Sequence, residues 1–425
     1  MRKWTVMVYM AGDNNLDING VADLKEMKRV GSTDEVAIIA QFDRSGSSRR
    51  TKRYFIRDFE TTPFVRQDEV ADLGETNTGS KEEFIKFLRW GMEEFAAQHY
   101  LVIIWGHGSG TMDESPFVEN GRTFRSIDRR HGIFRPVTRD VSRDVIRHFG
   151  LDSLENELFF KLGKDEFTLI APDDDAKDFL DNIELKDALK AAPNSVDILG
   201  MDACLMSMTE ICYQVRESVG ITVASQAQSE VEGWPYEQFL AQLVQSPGMQ
   251  PKRLARILVK EFVRLYQDQE NVSATLAACR LDKTPELAAA VDRLAATLIA
   301  RIANVNVLNA IIAARSRVWA DELIETVDLS DFCHLLRQRC ENAVVKAACT
   351  EVIDLIEQKD GIIIDFDKHG EGVDFTHGLG IYFPQFEVSP PYVLLDFVND
   401  PGAGGEPSAP KWGEFISRYV EAVSR

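Results

Sequence analysis

Hydrophobic positions along this chain fall into two textures that alternate through its first half. Short β-branched runs at 4–10, 35–42, 52–58, 101–105, 196–201 and 220–225 predict strands, and several carry so few polar residues that both faces must be covered. Between them, apolar residues recur at helical spacing over 15–30, 81–97, 183–191 and 204–218. This alternation predicts an α/β fold, a mostly parallel sheet sandwiched between helical layers. Beyond Pro247 the texture changes to Ala/Leu/Arg-rich helical stretches at 251–268, 284–303, 305–318 and 330–358. Strands then return at Gly361-Ile-Ile-Ile-Asp-Phe366 and Gly378-Leu-Gly-Ile-Tyr-Phe-Pro384, and an amphipathic helix at 411–423 closes the chain. The expected organisation is a core over 1–248 and a largely helical C-terminal region over 249–425, with returning strands at about 361–384.

One stretch, roughly 111–180, breaks the rhythm. It lacks clean periodicity apart from some helical character near 141–161, and between 122 and 147 it carries eight arginines and no lysine. An interruption of this length is either functional or a surface insertion, and both readings stay open. The net charge of −20, spread along the chain, argues against a nucleic-acid surface. Six cysteines show neither a CxxC pair nor a Cys/His zinc spacing, which points to free thiols in a reducing compartment. Met1-Arg-Lys and the apolar run after it resemble a signal peptide superficially, but Gly12-Asp-Asn-Asn-Leu-Asp17 follows at once as a turn, so the run reads as a first strand. No run reaches the roughly 18–20 apolar residues of a membrane span. The chain therefore reads as cytoplasmic with no membrane partner, and no pattern fixes its oligomeric state.

Two strand-like segments end in reactive residues: Leu101-Val-Ile-Ile-Trp-Gly-His107-Gly-Ser-Gly110 and Val196-Asp-Ile-Leu-Gly-Met-Asp202-Ala-Cys204-Leu-Met206. Carboxyl ends of neighbouring strands are where ligands gather in open α/β sheets, and a Cys with a nearby His is the pairing thiol chemistry needs. Cys204 stands where a strand passes into the expected helix 204–218. A helix N-terminus would lower its pKa, whereas an inert buried thiol is the plainer alternative. The N–H groups of Gly108 and Cys204 suit an oxyanion hole. Asp202 fits either a cap on the next helix or a carboxylate on the floor of a pocket for a basic side chain. His131 and His148 have no ligand spacing to His107, so no metal site is expected there.

These segments resemble the clostripain-like cysteine peptidases, relatives of caspases, gingipains and legumain. The opening Val-Met-Val-Tyr-Met-Ala-Gly-Asp-Asn-Asn-Leu-Asp17, the Gly233-Trp-Pro-Tyr236 loop and Gly378-Leu-Gly-Ile-Tyr-Phe-Pro384 extend the resemblance over nearly the whole chain. It implies a caspase-like α/β/α core, a His107–Cys204 dyad and Asp202 in the primary specificity pocket. It further implies peptide or protein substrates cut after Arg or Lys, and activation in some members by self-cleavage between His and Cys. The Arg cluster, Lys164 and Lys177 would supply such sites. After the strand at 220–225 the chain departs from the pattern. Glu230 and Glu232 there are candidate second pocket acids or simply loop surface. Some relatives depend on calcium, yet no EF-hand-like loop is present; Asp173-Asp-Asp175 reads as a solvated acidic turn, with loose Ca²⁺ binding as the alternative, and no cofactor is otherwise expected. The alternative to an endopeptidase is a non-catalytic peptide-binding or regulatory protein that keeps the fold. Cleavage after Asp would need basic residues beside Cys204, and Asp202 argues against it.

Overall fold

The computed structural model describes residues 1–46, 50–111, 118–119, 122–123, 170–230, 232–269, 272–321, 325–399 and 408–424. Its centre is a sheet of nine strands: β1 (Arg2–Gly12), β2 (Val36–Arg44), β3 (Thr51–Phe55), β4 (Glu69–Gly74), β5 (Ala97–Trp105), β6 (Val196–Asp202), β7 (Val219–Ala224), β8 (Ala274–Arg280) and β9 (Ile363–His369). They lie side by side in the order β9-β8-β7-β6-β5-β1-β2-β3-β4. The five middle strands run parallel and the two at each edge antiparallel. Strands from both sides of residue 249 thus build one sheet, because β8 and β9 extend it beyond β7.

Alternation along β1 shows how the sheet is covered. Trp4, Val6, Val8 and Met10 point to one face and pack with α1 (Asp17–Val30), α5 (Tyr236–Gln245) and α6 (Pro251–Tyr266). Met7, Tyr9 and Ala11 point to the other. There they join α2 (Lys81–Glu94), α3 (Asn182–Lys190), α4 (Thr209–Val215) and the C-terminal helices α7 (Thr284–Ile299), α8 (Val305–Arg315), α9 (Leu329–Arg339), α10 (Ala343–Glu357) and α11 (Pro410–Val423). The result is the α/β/α sandwich expected from the sequence. Beside the sheet, α1 is anchored by a fully buried ion pair. Lys28 Nζ lies 2.6 Å from Asp68 Oδ2 and also donates to Thr62 Oγ1 at 2.7 Å and the Arg57 carbonyl at 2.9 Å.

Several expectations shift. The stretch expected as one helix over 330–358 is two, because Asn342 starts a new one by accepting from the N–H groups of Val344 and Val345. The helix expected at 204–218 begins only at Thr209. The cause is tertiary. The short strand Gly380–Tyr382 bridges to Met208, while Ser207 and Thr209 give their hydroxyls to the carbonyls of Gly378 and Gly380 at 2.6 and 2.9 Å, so the residues just before Thr209 are held out of the helix. The interruption ends in a hairpin, Ile170–Asp173 with Asp178–Leu180. Apart from Arg122, its arginines, with Lys164 and the expected helix near 141–161, lie outside the described residues. Among the described residues, no helix is long and apolar enough to cross a membrane.

Candidate active site

The register of β5 against β6 brings the two reactive residues together. Trp105 stands opposite Asp202, and the Gly106 N–H donates to the Asp202 carbonyl at 3.2 Å. Each strand then runs two residues further, to His107 and to Cys204. Gly108 shows how closely these extensions touch. A Cβ there would lie 2.5 Å from the Cys204 carbonyl oxygen and 2.9 Å from the Ala203 methyl, so only glycine fits without pushing the loops apart.

A third strand end joins them. Met10 of β1 is also level with Trp105, and the chain beyond it carries Asn15, whose Oδ1 lies 2.6 Å from His107 Nε2. An amide oxygen only accepts, so this contact puts a ring proton on Nε2. The Asp-Asn-Asn segment is in the sequence pattern, but nothing in its composition announces a partner for His107; only the parallel β1–β5 pairing does.

Cys204 occupies a tight turn, not a helix N-terminus. Leu205, the next residue, sits at φ +64, in a region that costs a non-glycine residue roughly 1–3 kcal/mol and that surrounding contacts must impose. Those contacts are the Leu205 N–H to Ala227 carbonyl bond at 3.1 Å and the Ser207 N–H to Ser225 carbonyl bond at 2.8 Å. The electrostatic expectation reverses accordingly. Burial pushes the Cys204 thiol pKa up, the Ser229 N–H at 3.2 Å pulls it partly back, and the charges of Asp202, Asp321 and Glu230 raise it again. The balance favours the thiol over the thiolate, with Sγ 3.6 Å from the Ser229 carbonyl oxygen.

Asp202 cannot cap the following helix, which starts seven residues later. Its buried carboxylate accepts from Tyr236 Oη at 3.0 Å and the Trp234 N–H at 3.3 Å. Burial pushes its pKa up to about 7 against the pull of these bonds. Gly233, at φ +63, passes so close that a Cβ would meet Oδ2 at 3.2 Å. Glu230 and Glu232 are exposed on the loop after β7. Glu230 acts on the thiol, whereas the charge of Glu232 acts on Tyr266. Asp321, from a short strand at 320–321, completes the acidic surroundings of the thiol; nothing in the sequence signals it.

Beyond the β1 end, Asp13, Glu75 and Asp173 converge with their carboxylate oxygens within 4.8 Å of one another. Asp173 is buried, contrary to a solvated turn, and accepts from the N–H groups of Thr78 at 2.9 Å and Ala176 at 2.7 Å. Burial, with the neighbouring carboxylates, pushes Asp13 up to about 7. The oxygens are of the kind hard cations accept, and burial with mutual repulsion favours the protonated forms of Asp13 and Asp173.

A parallel-centred sandwich with its reactive Cys and His on adjacent carboxyl ends is the architecture of caspase-like proteins. Comparison with known proteins gives the lineage: the pattern describing the Clostripain family, peptidase family C11, matches residues 8–129 and 164–418, and the chain belongs to that family. Clostripain of Hathewaya histolytica is 26% identical over 237 residues, a match spanning 52% of this chain and 37% of that protein. The fold matches a secreted C11 cysteine protease from Bacteroides thetaiotaomicron, solved with an irreversible peptide inhibitor, at a TM-score of 0.61 and 18% identity over 93% of this chain and 96% of that one. It also matches an inactive zymogen C11 protease from Parabacteroides distasonis at a TM-score of 0.58 and 15% identity, over 99% of this chain and 98% of that one.

Proposed function

We propose that this chain is a cysteine endopeptidase that cleaves after Arg or Lys, with Cys204 as nucleophile and His107 as proton donor. The carrying observation is the contact of the two strand-end loops at Gly108 and the Cys204 carbonyl. In this reading the Cys204 thiol gives up its proton to solvent as substrate settles, the sulfur attacks the scissile carbonyl carbon and a C–S bond forms. The carbonyl π electrons move to oxygen, which the N–H groups of Gly108 and Cys204 receive; among the described residues neither donates to a protein acceptor. His107 gives a proton to the leaving amine as the C–N bond breaks, and water then hydrolyses the thioester.

The acidic surroundings of the thiol support the basic preference. Asp202, Asp321 and Glu230 oppose the thiolate, and a guanidinium or ammonium placed among them offsets that opposition. A cationic substrate side chain would thus help to generate the nucleophile that attacks it. The same raised thiol supports a second reading, a latent resting state released by cutting between His107 and Cys204. The test is a fluorogenic panel with Arg, Lys, Asp, Asn or Leu before the scissile bond, run on wild-type and Cys204→Ala protein beside a denaturing gel. Thiol-dependent release after Arg or Lys is expected, and hydrolysis surviving in Cys204→Ala would remove this cysteine from the mechanism. Silence across the panel with an uncut chain would favour latency or a peptide-binding role.

A further inference from the structure

Where α9, the end of α10 and the loop before Gly380–Tyr382 meet, two imidazoles and a carboxylate converge. His334 of α9 approaches Glu357, the last residue of α10, with Nε2 2.8 Å from Oε1; His377, in the loop before Gly380–Tyr382, brings its Nε2 to 3.8 Å from the same oxygen. The three donor atoms lie within 4.8 Å of one another, and the rings stand 5.7 Å apart, centroid to centroid. We propose that His334, Glu357 and His377 form a binding site for a divalent transition-metal ion of the zinc class, separate from the peptidase site.

Three observations carry this. First, the donor set is the borderline imidazole–carboxylate mixture that zinc-class ions prefer over calcium or magnesium. Second, the spacing is close to what an ion needs. With metal–ligand bonds of about 2.0–2.1 Å, tetrahedral donors lie about 3.3–3.4 Å apart, so the two edges to Glu357, 2.8 and 3.8 Å, need adjustments of about half an ångström, and the third lies within the 4.8 Å span of the cluster. Third, His377 has the outer support of a metal ligand. Its Nδ1 lies 3.1 Å from Asp328 Oδ1, and its own backbone N–H donates to Oδ2 at 2.6 Å, which turns Nε2 toward Glu357. The Asp328 carboxylate is itself fixed, accepting from Gln226 Nε2 at 2.8 Å and from the Asp331 N–H at 2.7 Å. All three ligand side chains remain partly exposed, which leaves the ion a way in.

One residue opposes loading and sharpens the test. Arg337 Nη2 donates to His334 Nδ1 at 3.2 Å, which keeps that ring's proton on Nε2, where it is shared with Glu357. A bound ion needs the Nε2 lone pair, so the proton must move to Nδ1 and face the Arg337 N–H. Removing Arg337 should therefore tighten binding, an effect a mere ion-pair cluster does not predict.

The experiment uses the full chain carrying Cys204→Ala, which takes the reactive thiol out of play. Zn²⁺ is titrated in competition with a chromogenic chelator, and Co²⁺ is added as a spectroscopic probe. The expected result is one Zn²⁺ per chain, with affinity lowered tenfold or more, on the order of 10–100-fold, by His334→Ala and by His377→Ala, and raised by Arg337→Ala. Co²⁺ should show d–d bands without a sulfur-to-metal charge-transfer band. His377→Ala disturbs the Asp328 network, so His334→Ala, on the exposed flank of α9, is the cleaner variant. The proposal falls if Zn²⁺ does not bind at one equivalent, if His334→Ala binds like its parent in a folded chain, or if the Co²⁺ spectrum reports thiolate ligands.

Discussion

Replacing Gly108 by Ala adds a single methyl group at a point where the His107 and Cys204 loops touch. That methyl would begin 2.5 Å from the Cys204 carbonyl oxygen, 2.9 Å from the Ala203 Cβ and 3.1 Å from the Met206 Cγ. Carbon atoms rest at about 3.5–4.0 Å, so relief against Ala203 alone requires the loops to part by about 0.6–1.1 Å. Both loops are tied down, His107 through Asn15 and the Cys204 turn through Ala227 and Ser225, so the displacement falls between His107 and Cys204, the proposed catalytic pair. A misplacement of about 1 Å costs on the order of a hundredfold in rate, about 2.7 kcal/mol of barrier. Overpacking should cost fold stability only about 1–3 kcal/mol, a small loss for a chain with a core this size. The assay is kcat/KM on an Arg-containing fluorogenic peptide, with thermal unfolding and the rate of Cys204 alkylation measured alongside. A large drop in kcat/KM with a near-native melting curve is expected. Activity within about threefold of wild type in folded protein would refute the claim that this contact sets the dyad spacing.

Three further outcomes follow from the same geometry. Asn15→Ala should lower kcat by roughly tenfold and leave KM nearly unchanged, because His107 loses the acceptor that holds its ring; an unchanged kcat would make Asn15 a bystander. Asp68→Ala should destabilise the fold by about 3–5 kcal/mol in denaturant titrations, since it strands the Lys28 charge in the interior, and the Lys28→Met/Asp68→Leu pair should recover most of that loss. Stability should fall between about pH 5 and pH 8, because burial raises Asp23 to about 9, Asp43 to about 8 and Asp202 to about 7. In that window the folded chain keeps protons that the unfolded chain has already released, so raising the pH favours unfolding. A denaturation midpoint that rises with pH would contradict these assignments.

Much of the architecture is legible along the chain because the parallel strands are buried on both faces and therefore written as unbroken apolar runs. Strands β1, β2, β5, β6 and β7 are of this kind. β4 and β8 escape notice: Glu69–Gly74 is short and half-exposed, and Ala274–Arg280 is Ala-rich beside helical neighbours, which hides its period. The positions of His107 and Cys204 at strand ends were readable for the same reason as the strands themselves. What surrounds them was not. Asn15, Ser229 and Asp321 reach the pair only through strand order and loop packing, which no local spacing encodes. The misjudged thiol shows the limit well. Residues 205–215 have helical spacing, but the carbonyls of Ala227 and Ser225 and the pull of Gly378 and Gly380 on Ser207 and Thr209 keep the first turn from forming and leave the sulfur without a helix dipole.

The strand order has a consequence for assembly. Every strand on one side of the β5–β6 seam comes from residues 2–105, and every strand on the other from residues 196–369. The seam itself is a parallel ladder with His107 at the end of one edge and Cys204 at the end of the other. Helix α1 of the first half also reaches α5 of the second, through Arg29 and Glu237 at 2.8 Å. The molecule is thus already arranged as two complementary pieces, each holding half of the reactive pair. Fragments ending near 111 and starting near 170, expressed apart, would meet edge to edge and yield chemistry only as a couple. This makes the fold a ready framework for reconstitution, in which one half reports on the presence of the other.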